Sequence, residues 1–178
     1  SDMTFESAKD GSVTSNEFRF AAMDFLARRE HSTRELKIKL NRKFGKRNYC
    51  AATLSCVIEK LTIDGLLNDE RYSASMVRKL IGRGCGPTRI RAALLQQGVE
   101  YDEDTSLENA LSEPVDWFLL AKAAYSKKYR GKAISGSWEE RRRERAKRLR
   151  FMRYRGFDSE ICQRLVGADN SDQAHHND

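Results

Sequence analysis

Apolar residues recur along this chain with helical spacing, and no run alternates apolar and polar between hairpin turns. Phe18, Ala21, Ala22, Phe25 and Leu26 mark one side of a first helix over about 16–30. Ser32-Thr33-Arg34-Glu35 reads as a capping box: the Ser32 hydroxyl accepts from the Glu35 amide, and the Glu35 carboxylate reaches back. Leu36, Leu40 and Phe44 follow at four-residue spacing. A third helix, about 48–64, carries Leu54, Val57, Ile58 and Leu61, and Gly65 supplies its left-handed stop.

The plan then repeats. Asn68 or Asp69 caps a helix reaching about residue 82, with Tyr72, Met76 and Leu80 spaced by four. Gly82-Arg83-Gly84-Cys85-Gly86 breaks it, and Pro87 suits the first position of a new helix carrying Ile90 and Leu94 and ending at Gly98. A shorter helix covers about 102–112, with Leu107, Ala110 and Leu111. From Pro114, the residues Trp117, Leu120, Ala121, Ala124 and Tyr125 mark another apolar face. Residues 130–137 read as a loop, about 138–155 as a long helix ending at Gly156, and Asp158 as the cap of a last helix with Ile161 and Leu165.

This pattern predicts an all-α chain, a tandem array of three three-helix repeats of elongated shape. The expected repeats are 16–66, 67–113 and 114–167, between loose tails at 1–15 and 168–178. A weak internal similarity supports the repetition: Arg29-Glu30-His31-Ser32-Thr33-Arg34-Glu35-Leu36 parallels Arg83-Gly84-Cys85-Gly86-Pro87-Thr88-Arg89-Ile90. Apolar residues make up only 39% of the chain and charged ones 33%, which suits a thin core spread over stacked repeats.

Charge sharpens the picture. The net charge is +7, which favours polyanions, either nucleic acid or an acidic protein surface. Both ends are acidic, so the middle is more basic than the total. The helix at about 138–155 holds nine bases against Glu139, Glu140 and Glu144. On a helical wheel Arg143, Lys147, Arg150 and Tyr154 form one stripe, while Leu149 and Met152 mark an inward face. Like charges at i, i+4 destabilise a helix by a few tenths of a kcal/mol per pair, so an unpartnered stripe points to an anion outside the chain.

The Gly-rich turn at 82–86, flanked by Arg83, Arg89 and Arg91, lacks the glycine spacing and preceding strand of a dinucleotide loop, and it has no Walker lysine. It reads as a sharp turn between helices, with free amides and arginines offering a phosphate contact. Asp69-Glu70 has no second acidic cluster to complete a metal-dependent nuclease. His31, the one histidine outside the tail, reads as a turn residue before the Ser32 cap, and no catalytic triad can be assembled. Cys50, Cys56, Cys85 and Cys162 have no CxxC spacing and read as reduced, mostly buried thiols. No stretch approaches the ~18 apolar residues of a membrane helix and none reads as a secretory signal, so the expected location is the cytoplasm.

Five segments resemble the RecX family, regulators of the RecA recombinase, in order and spacing over about residues 20–166. They are Leu26-Ala27-Arg28-Arg29-Glu30-His31-Ser32-Thr33-Arg34-Glu35-Leu36, Gly65-Leu66-Leu67-Asn68-Asp69-Glu70-Arg71-Tyr72, Arg83-Gly84-Cys85-Gly86-Pro87-Thr88-Arg89-Ile90-Arg91, Gln97-Gly98-Val99 and Lys147-Arg148-Leu149-Arg150-Phe151-Met152-Arg153-Tyr154-Arg155-Gly156-Phe157. Asn68 stands where an Asp is common, and the N-terminus is longer.

The resemblance implies tandem three-helix repeats and no enzymatic activity, cofactor or metal. It implies a monomer that lies in the groove of the RecA filament on DNA and restrains ATPase, strand exchange and coprotease functions. Single- and double-stranded DNA would be contacted through phosphates, and no membrane is involved. The residues expected to carry recombinase or DNA contact are Arg83, Arg89 and Arg91 around the glycine turn. On the long helix they are Arg143, Lys147, Arg148, Arg150, Arg153, Tyr154 and Arg155. The other reading of the same sequence is a sequence-specific regulator of helix-turn-helix type, with the helices at 32–44 and 87–97 as recognition helices.

Overall fold

The computed structural model describes residues 11–169. Among them are nine helices and no strand, three helices to each stretch expected as a repeat: α1 (Ser15–Arg28), α2 (Thr33–Phe44), α3 (Ala51–Ile63), α4 (Asp69–Gly82), α5 (Pro87–Gln96), α6 (Glu103–Ala110), α7 (Trp117–Tyr129), α8 (Trp138–Tyr154) and α9 (Ser159–Ala168). No helix of the described residues is long and apolar enough to cross a membrane.

Local chemistry sets the ends. Ser137 and Glu140 close a capping box at α8, and Thr14 and Glu17 close one at α1. Arg47 holds the Glu17 carboxylate, with the Thr14 amide, at a pKa of about 2. Ser32 accepts from the Glu35 amide at 3.0 Å, but the expected reciprocal bond is absent, because the Glu35 carboxylate pairs with Arg29 instead. Asn68 caps α4 through the Arg71 amide at 3.0 Å. Asp69 turns away to accept from the amide of Thr33, at the start of α2, at 2.8 Å. Gly65 has φ +76, the left-handed stop its position demanded.

The chain divides into two compact units. The first ends at Ser75 and takes in Gln96–Glu100; the second is Met76–Leu95 and the chain from Tyr101 onward. The first unit's core is Val13 and Phe18 with Leu36, Leu40, Val57, Ile58 and Leu61. Phe44 and Tyr49 meet Phe18 edge-on, each at 5.2 Å. The second unit's core holds Ala121, Tyr125, Tyr129 and Ile134 with Met152, Phe157, Cys162 and Val166.

Most of both tails lies outside the described residues. Ordered structure nevertheless extends past the expected tail boundaries: Val13 is buried, its amide donates to the Asn48 carbonyl at 3.0 Å, and Ala168 belongs to α9. Burying one apolar side chain just ahead of the Thr14 cap ties this segment down.

His31 is also not a plain turn residue. Its ring is buried 6.0 Å from Phe25, with Nδ1 3.0 Å from the Arg29 carbonyl and Nε2 2.9 Å from Lys39 Nζ. A neutral ring satisfies both contacts, Nδ1–H donating and Nε2 accepting. Burial holds its pKa below the usual 6.5.

Candidate polyanion-binding surface

The basic character of α8 rests on an inward anchor. Met152 is fully buried, with Leu149 and Phe151 packed against the same core, as the inward face required. The wheel then forces Arg143, Lys147, Arg150 and Tyr154 outward, and all four are exposed, as is Arg153. No carboxylate of the described residues pairs with Arg143, Lys147 or Arg150, whereas Arg148 pairs with Glu144 and Asp169. The stripe therefore keeps its uncompensated charge.

Arg148 has to be removed from the expected contact residues. It is 3% exposed. Its guanidinium donates to Glu144 at 3.0 Å, to the Tyr125 hydroxyl and the Lys132 carbonyl at 2.8 Å each, and to Asp169 at 3.4 Å. It also lies over the Tyr129 ring at 4.3 Å. A buried charge persists only when it is paired and hydrogen-bonded internally, and Arg148 is both. Burial pushes the Tyr125 hydroxyl up to about 12, so it stays protonated beside the arginine. The Glu144–Arg148 spacing of four was the visible hint.

The glycine turn differs from expectation in a second way: its amides are not free. Arg83, Gly84 and Cys85 donate back to the last turn of α4. The Gly86 amide donates to the Arg155 carbonyl at 2.7 Å and the Thr88 amide to the Gly156 carbonyl at 3.1 Å. The start of α5 is thus capped by the carbonyls that end α8, joining the positive end of one helix dipole to the negative end of another. No phosphate can be cradled by this backbone.

That junction gathers side chains far apart in sequence. Arg155 donates to the Arg83 carbonyl at 2.6 Å, and Arg89 donates to the Tyr154 carbonyl at 3.2 Å while stacking on the Tyr154 ring at 4.6 Å. Arg83, Arg89, Arg155 and Tyr154 form one cluster. Arg91 is exposed but, two residues past Arg89, it points roughly 200° around α5 and falls outside the cluster.

Lys127 and Lys128, on the last turn of α7, were not singled out from sequence, because bases at a helix C-terminus are ordinary dipole partners. With Arg83 and Arg155 they rim a cavity of about 470 Å³ floored by Leu120, Ala123, Ala124 and Phe151.

The helices considered for base recognition have their first turns engaged internally. At α2, Ser32 is buried and donates to Gln97 at 2.8 Å, and the Thr33 amide is held by Asp69. At α5, Gly86 and Thr88 are bonded to the end of α8. A recognition helix needs its N-terminal residues free to enter a groove, which weighs against that reading. Among the described residues no cluster of three or more His, Cys, Asp or Glu could hold a metal ion. Cys85 and Cys162 are buried as expected, but Cys50 and Cys56 are exposed: Cys50 is the extended N-cap ahead of α3, and Cys56 lies off that helix's inward face.

Comparison with known proteins completes the description. Residues 68–102 match a family model described as the second three-helix domain of RecX. The chain is 35% identical over 149 residues to a protein of Ectopseudomonas mendocina named regulatory protein RecX, covering 83% of this chain and 91% of that protein. It is 36% identical over 140 residues to the protein of the same name from Vibrio vulnificus, covering 78% and 84%. The crystal structure of RecX from Lactobacillus salivarius superposes with a TM-score of 0.61 at 21% identity, covering 86% of this chain and 95% of that one. A further crystal structure titled regulatory protein RecX gives 0.63 at 23% identity, covering 86% and 73%. The structural likenesses support the fold.

Proposed function

This chain belongs to the RecX family of regulatory proteins, and from that premise we propose that it binds along the RecA filament on DNA and restrains the recombinase without catalysing a reaction. The observation that carries this reading is the exposed, unpaired stripe Arg143–Lys147–Arg150 on α8. A filament of recombinase on DNA presents phosphates and acidic protein surface in a regular array. A stripe of cations fixed along one helix can follow such an array, with affinity from counterion release and charge complementarity. The cluster of Arg83, Arg89, Tyr154 and Arg155, with Arg153 beside it, extends the basic surface beyond the end of α8. Arg91 contributes separately, from another face of α5. No cofactor or membrane enters this reading, and the chain acts as a monomer.

The test is ATP hydrolysis by RecA on single-stranded DNA. Adding this protein at or below one copy per recombinase should suppress the rate. An unchanged rate at saturating protein rejects the proposal.

A further inference from the structure

The cavity on the second unit differs in chemistry from the stripe on α8. Its floor is aliphatic, from Leu120, Ala123 and Ala124, with Phe151 at one side; its rim is cationic, from Arg83, Lys127, Lys128 and Arg155. Gly84 and Ala124 pack against each other in its lining: a Cβ on the glycine would lie 3.4 Å from the Ala124 Cβ, ordinary van der Waals contact. Gly82 has open space around it and no positive φ, so its backbone does not require glycine.

We infer that this groove docks an acidic amphipathic segment of a protein partner, with apolar side chains settling on Leu120 and Ala123 and carboxylates meeting the four cations. An exposed apolar floor marks a contact surface for another macromolecule, and the rim sets the sign of its partner's charge. A single nucleic-acid strand would need an open aromatic face on which to stack bases. Phe151 does not offer one: Lys128 and Arg155 lie over its ring at 5.5 and 5.3 Å, and Tyr129 meets it edge-on at 5.8 Å. Tyr154 is covered by Arg89. The inference rests on the proposed function only in taking the recombinase as the protein that bears the segment.

The probe is a fluorescein-labelled peptide of about 16 residues with leucines at i, i+4 and i+7 flanked by glutamates, compared by anisotropy with an equally charged peptide in which serine replaces leucine. The full chain should bind the leucine peptide about tenfold more tightly than the serine peptide. Ala123→Trp, which fills the groove from an exposed position, and the pair Lys127→Glu, Lys128→Glu should each lower affinity by about tenfold while the thermal midpoint holds. Oligo(dT) should not displace the peptide. Equal binding of both peptides, indifference to Ala123→Trp, or displacement by oligo(dT) overturns the inference, the last by assigning the groove to nucleic acid. The two readings fail separately. Peptide binding without suppression of RecA hydrolysis leaves the groove standing and removes the filament role; suppression without peptide binding does the reverse.

Discussion

Gly86 and Gly156 meet backbone against backbone: a Cβ added at Gly86 would lie 2.5 Å from the Gly156 carbonyl oxygen, and one at Gly156 would lie 2.6 Å from the Arg89 amide nitrogen. This approach allows the end of α8 to cap α5 and brings Arg83, Arg89, Tyr154 and Arg155 together. Neither glycine can accept a side chain without separating the two helix ends.

Replacing Gly86 or Gly156 by Ala should therefore cost about 3 kcal/mol or more, from overpacking combined with lost backbone bonds. Gly98 has φ +68 with nothing within 4 Å, so Gly98→Ala should cost only about 1 kcal/mol. Gly82→Ala should be neutral or stabilise by up to about 1 kcal/mol. Urea midpoints order these four variants; equal losses at positions 86 and 98 would contradict the junction.

Arg148 and Arg150 should behave as opposites. Arg148→Ala strips the Tyr125 hydroxyl and Lys132 carbonyl of their donor and should destabilise the chain by about 2–4 kcal/mol. Arg150→Ala should change stability by no more than about 0.5 kcal/mol. Thermal unfolding of the two variants separates the buried cation from the exposed one.

Salt should report the stripe. If Arg143, Lys147 and Arg150 each neutralise a phosphate, replacing all three by Ala should lower the slope of log affinity against log salt by about 2 on single-stranded DNA. Binding measured from low to physiological salt checks this, and an unchanged slope moves the phosphate contacts elsewhere.

His31 should make stability depend on pH. Burial depresses its pKa in the folded chain, so its neutral ring favours folding fully above pH 6.5, the unfolded value. As pH falls below 6.5 the unfolded chain takes up a proton that the folded ring refuses, and stability declines toward the lower folded value. A urea midpoint that drops between about pH 7.5 and pH 5.5, and drops less in His31→Asn, is the expected result.

Much of this was legible in the sequence because helices announce themselves by spacing and punctuation. Pro87 does begin α5, Asp158 caps α9 at 2.9 Å, and the wheel placed Met152 inward and Arg143, Lys147 and Arg150 outward. What failed depended on partners distant in sequence. Arg148 looked like one more surface base, because its Tyr125, Lys132 and Asp169 partners come from α7 and the segments flanking α8 and α9. The Gly86 and Thr88 amides looked free because their acceptors, the carbonyls of Arg155 and Gly156, lie about 70 residues onward. The Glu35 carboxylate could have closed a local cap or paired with Arg29, and spacing alone does not choose. The groove was invisible for a similar reason: its floor and rim come from α4, α7 and α8, and none of its residues is unusual where it stands.

The most direct measurement is RecA-catalysed ATP hydrolysis on single-stranded DNA with increasing amounts of the wild-type chain and of a variant carrying Arg143→Glu, Lys147→Glu and Arg150→Glu. The account predicts that the wild type suppresses hydrolysis and that the charge-reversed chain, folded with an unchanged far-ultraviolet spectrum, loses most of that effect. Equal suppression by both proteins would contradict it.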